Sequence, residues 1–214
     1  MSVGTIESLR RAILEYDAEA ACSLAKRVAA EKLDPITVMN ELTATINQVG
    51  ELFGKGELWL PDLVGAADAM QVAMPILEEE IKKVGKKRES LGIVVVGTVF
   101  GDIHDIGKSM VSTLLLAEGF EVHDLGVNIK AEEFIEAIEK YQPDILAMSA
   151  LLTMTAPEQR KVINTLKEKG IREKVKVMVG GGAITGEFAQ SIGADGYDHT
   201  APGAVKLAKR LKGV

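Results

Sequence analysis

Past residue 88 the chain reads as five short apolar runs, at 92–99, 121–125, 144–149, 175–179 and 194–197. Between them lie amphipathic stretches of helical length, with glycine or proline at the joins. Parallel strands need crossover connections, and helices supply them, so this alternation dictates a parallel sheet covered on both faces. A closed barrel takes ~250 residues, far more than the 89–214 span offers. The expectation is therefore an open, five-stranded, doubly wound parallel sheet, whose ligands bind beyond the carboxyl ends of its strands.

Residues 1–88 follow a different period. Ile6, Leu9, Ile13 and Leu14 recur at helical spacing, as do Ala20, Leu24, Ala25 and Val28 after a capping Asp17. Asp34-Pro35 starts a third helix that runs through Ile36, Met39, Leu42, Ile46, Val49 and Phe53 and stops at Gly54-Lys55-Gly56. A fourth begins near Pro61 or Asp62 and continues through Leu63, Met70, Met74, Leu77 and Ile81. Four helices with apolar stripes and short connections make a small bundle, with Met70 and Met74 in its core. The charged stretch 82–90, KKVGKKRES, is the expected linker and, for domains that must move apart, the expected hinge. The expected domains are 1–88 and 89–214.

Composition narrows the function classes. With 31 acidic against 25 basic side chains, the net charge of −6 argues against a phosphate-neutralising face, so no nucleic acid is expected as partner. No apolar run approaches the ~20 residues of a membrane span, so no membrane is expected either. A single cysteine, Cys22, and an amino terminus without a long apolar core point to the cytoplasm. Only three histidines and 4% aromatic residues are present, which makes the setting of each histidine informative.

Three strand-end loops carry the chemistry. After the first strand, Gly101-Asp102-Ile103-His104-Asp105-Ile106-Gly107-Lys108 sets a carboxylate two residues before a histidine. In an extended loop both lie on one side, and such a carboxylate accepts one ring N–H and leaves the other nitrogen to ligate a metal. The same pair serves equally as half of a catalytic dyad or as a structural hydrogen bond at a helix entry. After the third strand, Ser149-Ala150-Leu151-Leu152-Thr153-Met154-Thr155 is rich in hydroxyls, suited to capping a helix or binding a polar ligand. After the fourth, Gly180-Gly181-Gly182 allows close backbone approach. His123 and His199 read as surface or structural residues.

DIHDIG resembles the DxHxxG signature of cobalamin-binding domains, and SALLT and VGGGA follow in the order expected of them. VGELFGKGELWLPDLVGAADAM resembles the cap helices of cobalamin-dependent methyltransferase modules. The chain thus resembles, over nearly its whole length, the corrinoid proteins of methylamine, methanol, quaternary-amine and methoxyl-aromatic methyltransferase systems. The resemblance implies an α + α/β architecture: a four-helix bundle cap at 1–88, then a Rossmann-like, flavodoxin-like cobalamin-binding domain at 89–214.

It further implies that cobalamin or a related corrinoid is the cofactor, cycling between methylcobalamin and cob(I)alamin, with the nucleotide base displaced from cobalt. His104 matches the lower axial ligand, Asp102 the carboxylate that hydrogen-bonds it, and Thr155 the hydroxyl that extends the relay. Ile103, Asp105, Ile106 and Gly107 complete the motif loop. Ser149, Leu151, Thr153, Gly180, Gly181 and Gly182 match the slot for the nucleotide tail, with Tyr197 and Ala201 beside them. Trp59 and Leu60 fall in the corner that the resemblance sets over the upper, methyl-bearing face; packing within the bundle is the other reading of Trp59.

The function implied is that of a methyl carrier rather than an enzyme. A substrate-specific methyltransferase would load the cobalt. A corrinoid:tetrahydrofolate or corrinoid:coenzyme M methyltransferase would unload it, and an ATP-dependent reductive activase would rescue oxidised cobalt. A methylamine or quaternary amine is the expected donor, with methanol or a methoxyl-aromatic compound as the alternative. A cobalamin-dependent sensor would add a DNA-binding domain, for which no residues are expected here. A metal hydrolase or isomerase would need more ligands than one histidine provides.

Overall fold

The computed structural model describes residues 2–85 and 90–214. The chain forms two compact units, 1–89 and 90–214. The boundary expected at residue 88 lies outside the described residues, as do residues 86–89 of the expected linker and hinge.

The first unit consists of α1 (Ser2–Leu14), α2 (Ala18–Ala30), α3 (Pro35–Gly54) and α4 (Leu60–Lys83). The starts of α2 and α3 are those the sequence announces. The Asp17 carboxylate accepts the Ala20 N–H at 2.8 Å, and Asp34 accepts the Thr37 hydroxyl at 2.7 Å just before Pro35. Leu9, Ile13, Val28, Met39, Leu42, Ile46, Leu63, Met70, Met74 and Leu77 are all buried. Two details differ. Leu14 is 39% exposed, because it is the last residue of α1 and the chain turns away through Tyr16, whose φ of 63° is left-handed. Helix α4 starts at Leu60 rather than at Pro61 or Asp62, because the Asp62 carboxylate reaches back to accept the Trp59 N–H at 2.7 Å and closes the first turn early.

The second unit alternates strand and helix: β1 (Ile93–Thr98), α5 (Ile106–Glu118), β2 (Glu121–Asp124), α6 (Ala131–Tyr141), β3 (Ile145–Ser149), α7 (Ala156–Glu168), β4 (Lys176–Gly180), α8 (Gly186–Ile192), β5 (Gly196–Tyr197) and α9 (Ala201–Lys212). The strands form one parallel sheet in the order β2-β1-β3-β4-β5. Val94, Val95, Ile145, Leu146 and Val177 are fully buried within it. The chain runs from β1 outward to β2, then returns across β1 to β3. Winding therefore reverses between β1 and β3, and a doubly wound sheet opens its ligand crevice at the carboxyl ends of such a pair. Among the described residues no helix is long and apolar enough to cross a membrane.

At the opposite end of the sheet, the Asp144 carboxylate accepts the Ile93 N–H at 2.8 Å and pairs with Lys212 Nζ at 2.6 Å, tying α9 to β1. Burial pushes the Asp144 carboxyl up, but the hydrogen bonds from Lys212 and Ile93 outweigh it and hold the group below the usual carboxylate range. A carboxyl held low in the folded state stabilises fully above its unfolded pKa of about 3.9. That contribution is lost as pH falls through the lower folded value. The side chain is 37% exposed, so solvent screening limits the effect to about 1 kcal/mol or less. Urea unfolding should show Asp144→Asn less stable than wild type at pH 7, with the gap closing below about pH 4; a gap independent of pH would contradict it.

Candidate functional site at the carboxyl ends of β1 and β3

At the switch point the β1 loop meets the β3 loop around Asp102, which is fully buried. Its Oδ1 faces His104 Nδ1 at 2.7 Å and accepts the His104 N–H at 3.1 Å. Its Oδ2 accepts the Thr155 hydroxyl at 2.6 Å and the N–H groups of Leu151 at 2.8 Å and Leu152 at 3.3 Å. Five donors on one carboxylate fill the roughly four lone-pair directions it offers. Burial would push the Asp102 carboxyl up, yet Thr155, the His104 ring and main chain, and Leu151 together hold it far below the usual range. It is therefore ionised throughout the physiological range and can only accept. In the neutral imidazole the proton therefore sits on Nδ1, facing Asp102, and Nε2 carries the lone pair. The His104 side chain is 47% exposed, so this nitrogen is available to an outside partner.

Thr155 occupies the N-cap position of α7, but its hydroxyl makes no cap bond and turns to Asp102 instead. The capping reading of that threonine is thereby excluded. Asp105 is the N-cap of α5, and Gly107 in its first turn has open space where a Cβ would stand. Strand register sets Thr98 beside Ser149 and Ser149 beside Gly180, while Tyr197, opposite Val179, lies one strand further out. Ala201 opens α9 at the end of the β5 loop, and Thr153 is exposed. Gly181 has φ +116°, and a Cβ there would stand 2.1 Å from the Ala150 carbonyl oxygen. Gly181→Ala should therefore cost about 3 kcal/mol or more, read as a lowered urea midpoint; a near-neutral Gly181→Ala would refute this packing.

Trp59 and Leu60 belong to the helical unit. Trp59 is 77% exposed, so it does not pack the bundle core, and that reading is set aside. His123 stacks on Tyr141 with ring centroids 3.8 Å apart, and His199 is largely exposed beside Asp198, in line with surface and structural roles.

Sequence reasoning missed several residues around this loop. The Thr98 hydroxyl donates to the His104 carbonyl at 3.0 Å. The Asn128 side-chain oxygen accepts the Gly101 N–H at 2.8 Å, while the Asn128 main-chain N–H donates to the Asp102 carbonyl at 2.9 Å. Lys108, 5% exposed, forms a close ion pair with Asp124, which also accepts the Ser112 hydroxyl at 3.3 Å. Gln159, fully buried on α7, donates from Nε2 to the carbonyls of Met148 and Gly180, clamping the ends of β3 and β4. A lysine on the buried side of α5, the one charged residue there, was the one visible signal. Thr98 and Asn128 look like ordinary strand and loop residues.

The surroundings suit a large, partly apolar cofactor bound at His104. Ile103, Leu151, Leu152 and Met154, on the two loops that Asp102 joins, and Ile106, at the start of α5, are 42–88% exposed. Exposed apolar side chains gathered around a single available imidazole nitrogen make a platform for a flat ligand. Among the described residues no three His, Cys, Asp or Glu side chains gather to hold a bare metal ion. One imidazole fits a metal that arrives with its other ligands already attached.

Comparison with known proteins agrees. Residues 92–206 match a family model described as "B12 binding domain", and residues 5–78 match a second model of the same description. The chain is 42% identical to a corrinoid protein of Desulfitobacterium hafniense (strain Y51), over 100% of both chains. The chain belongs to the corrinoid protein family. Dimethylamine corrinoid protein 1 of Methanosarcina mazei is 44% identical over 96% of this chain and 95% of its own. Among solved structures, the methanol:cobalamin methyltransferase complex MtaBC of Methanosarcina barkeri superposes with a TM-score of 0.81 at 31% identity, covering 98% of this chain and 80% of that one. As a member of this corrinoid family, the chain takes cobalamin or a related corrinoid as its cofactor, and the expected α + α/β architecture is the one observed.

Proposed function

We propose that this corrinoid protein carries a methyl group from a methylated amine, of the dimethylamine or trimethylamine class, to an acceptor methyltransferase, and is not itself the enzyme at either end. The observation that carries the reading is His104: a half-exposed imidazole with Nδ1 engaged by a buried, ionised Asp102 and Nε2 left to ligate. The amine class rests on relatives named dimethylamine and trimethylamine corrinoid proteins, 38–45% identical over nearly the whole chain. Cobalamin, when bound, supplies the cobalt–carbon bond that is made and broken as the methyl group passes on.

The chain's own residues bind, orient and tune. His104 would hold the cofactor's metal through Nε2, and Asp102 with Thr155 holds its ring and stabilises positive charge on it. Ile103, Asp105, Ile106 and Gly107 support the loop. Ser149, Leu151, Thr153, Gly180, Gly181, Gly182, Tyr197 and Ala201 line the slot for the nucleotide tail. We assign Trp59 and Leu60, exposed on the helical unit, to the methyl-bearing face, and we set the domain boundary at residue 88. The partners are a substrate methyltransferase, a tetrahydrofolate or coenzyme M methyltransferase, and an ATP-dependent activase. A single cysteine suits a reducing cytoplasm.

The test is reconstitution. Anaerobically refolded protein should retain cobalamin through gel filtration. With amine methyltransferases supplied, its cobalt should be methylated from dimethylamine or trimethylamine and not from methanol or methoxylated aromatics. Failure to retain cobalamin would sink the carrier assignment, and methylation from methanol alone would sink the amine assignment.

A further inference from the structure

The loop carrying His104 has no regular structure between Thr98 and Ile106, and a loop is a poor platform for a metal ligand unless its backbone is held. Asp102 fixes the ring at Nδ1 and accepts the His104 main-chain N–H at 3.1 Å, but it does not hold the Gly101 N–H or the main-chain carbonyls of residues 102 and 104. Two residues outside the motif do so. The hydroxyl of Thr98, fully buried at the end of β1, donates to the carbonyl oxygen of His104 at 3.0 Å. Asn128, from the loop between β2 and α6, brackets the other side: its Oδ1 accepts the Gly101 N–H at 2.8 Å and its main-chain N–H donates to the Asp102 carbonyl at 2.9 Å.

Asn128 makes both bonds from a left-handed conformation, φ 60°, that asparagine tolerates better than bulkier residues do. Its segment is anchored in turn. Ile129 N–H donates to the Thr98 carbonyl at 3.0 Å, and Thr98 N–H donates to the Gly126 carbonyl at 3.0 Å. Residues 101, 102 and 104 are thus tied at three main-chain atoms, Gly101 and His104 by the side chains of Asn128 and Thr98 and Asp102 by the Asn128 main-chain N–H, and both partners are themselves locked to the sheet.

We infer that Thr98 and Asn128 are positioning residues for His104, holding its backbone so that Nε2 stands at a fixed distance and angle from a metal beyond it. The inference rests on His104 being the axial ligand. Loss of either tie lets the loop relax while the Asp102–His104 pair survives. The expected result is weaker axial ligation rather than loss of the fold. One neutral hydrogen bond corresponds to a shift of about five- to tenfold in the equilibrium constant between histidine-bound and histidine-free cobalt.

The readout is electron paramagnetic resonance of the reconstituted full chain with its cobalamin in the cobalt(II) form, prepared with and without 15N-histidine. In wild type the label should change the nitrogen splitting from a triplet to a doublet, which identifies a protein histidine rather than the cofactor's own base. An unchanged triplet in wild type would overturn the axial assignment itself. With that doublet in hand, Thr98→Val and Asn128→Gly should each lower the equilibrium constant for histidine ligation about five- to tenfold, read as a doublet reduced in favour of the unligated or base-ligated signal. Thr98→Ser, which restores the hydroxyl, and Asn128→Asp, which restores the acceptor, should recover it. A full wild-type doublet in both Thr98→Val and Asn128→Gly would overturn the inference. So would loss of signal that tracks a collapsed thermal transition and that Thr98→Ser and Asn128→Asp fail to rescue.

Discussion

His104→Ala should fold as wild type does and lose the axial nitrogen signature of bound cobalamin completely. The fold survives because the ring is half exposed and fills no core space. Asp102 is not orphaned either: it keeps Thr155, Leu151, Leu152 and the main-chain N–H of residue 104 as donors. Thermal unfolding of the apo protein should therefore move by no more than a few degrees. Neither of the other two histidines competes with His104 for the proposed ligand role. His123 is stacked on Tyr141 and bonded to Glu121 at 3.0 Å, and His199 lies beyond β5. The absorption spectrum of the reconstituted variant should be that of cobalamin without a protein ligand, and methylation by the partner enzymes should fall with it. A His104→Ala spectrum identical to wild type would remove His104 from the metal.

Asp102→Ala is expected to do the reverse damage, striking the fold as well as the site. Removing the carboxylate leaves a buried void and strips acceptors from the Leu151 and Leu152 N–H groups, the Thr155 hydroxyl and the His104 ring. Donors left unpaired in a dry site should cost at least about 3 kcal/mol. The urea midpoint of the apo protein reads that loss directly. Asp102→Asn separates charge from shape. Its carbonyl oxygen can still face His104 Nδ1, and the Thr155 hydroxyl can rotate to the Leu152 carbonyl 3.0 Å away. Its amide N–H₂, however, would meet the Leu151 N–H head on. We expect Asp102→Asn to sit between wild type and Asp102→Ala in stability, with weaker axial ligation than wild type because the negative charge behind the imidazole is gone. If Asp102→Ala proves as stable as wild type, the buried network does not hold the two loops together.

Much of this was legible because it follows from periodicity and from local chemistry. The apolar runs predicted the sheet to within a residue or two, since parallel strands must be apolar on both faces, and 93–98 and 145–149 are buried along almost their whole length. Asp17 and Asp34 announced their helices because a cap acts over three residues. The Asp102–His104 pairing, two residues apart, was readable for the same reason. Leu14 shows the limit: spacing alone sets it on the apolar stripe, but the turn after it decides its exposure.

What remained hidden lies in contacts between residues far apart in the chain. Asp102 meets Thr155 and Leu151 only because β1 and β3 are neighbours at the reversal of the sheet's winding, a fact of strand order that no local pattern encodes. Thr98, Asn128, Lys108 and Gln159 act through main-chain atoms or partners on other elements. The amino-acid sequence by itself determined the two-part architecture, the motif loop and the family, because periodic burial and short-range bonding are written in consecutive residues. Only the tertiary structure decided which donors saturate Asp102, which nitrogen of His104 is left to act, and what holds its loop still, because those depend on where the chain returns in space.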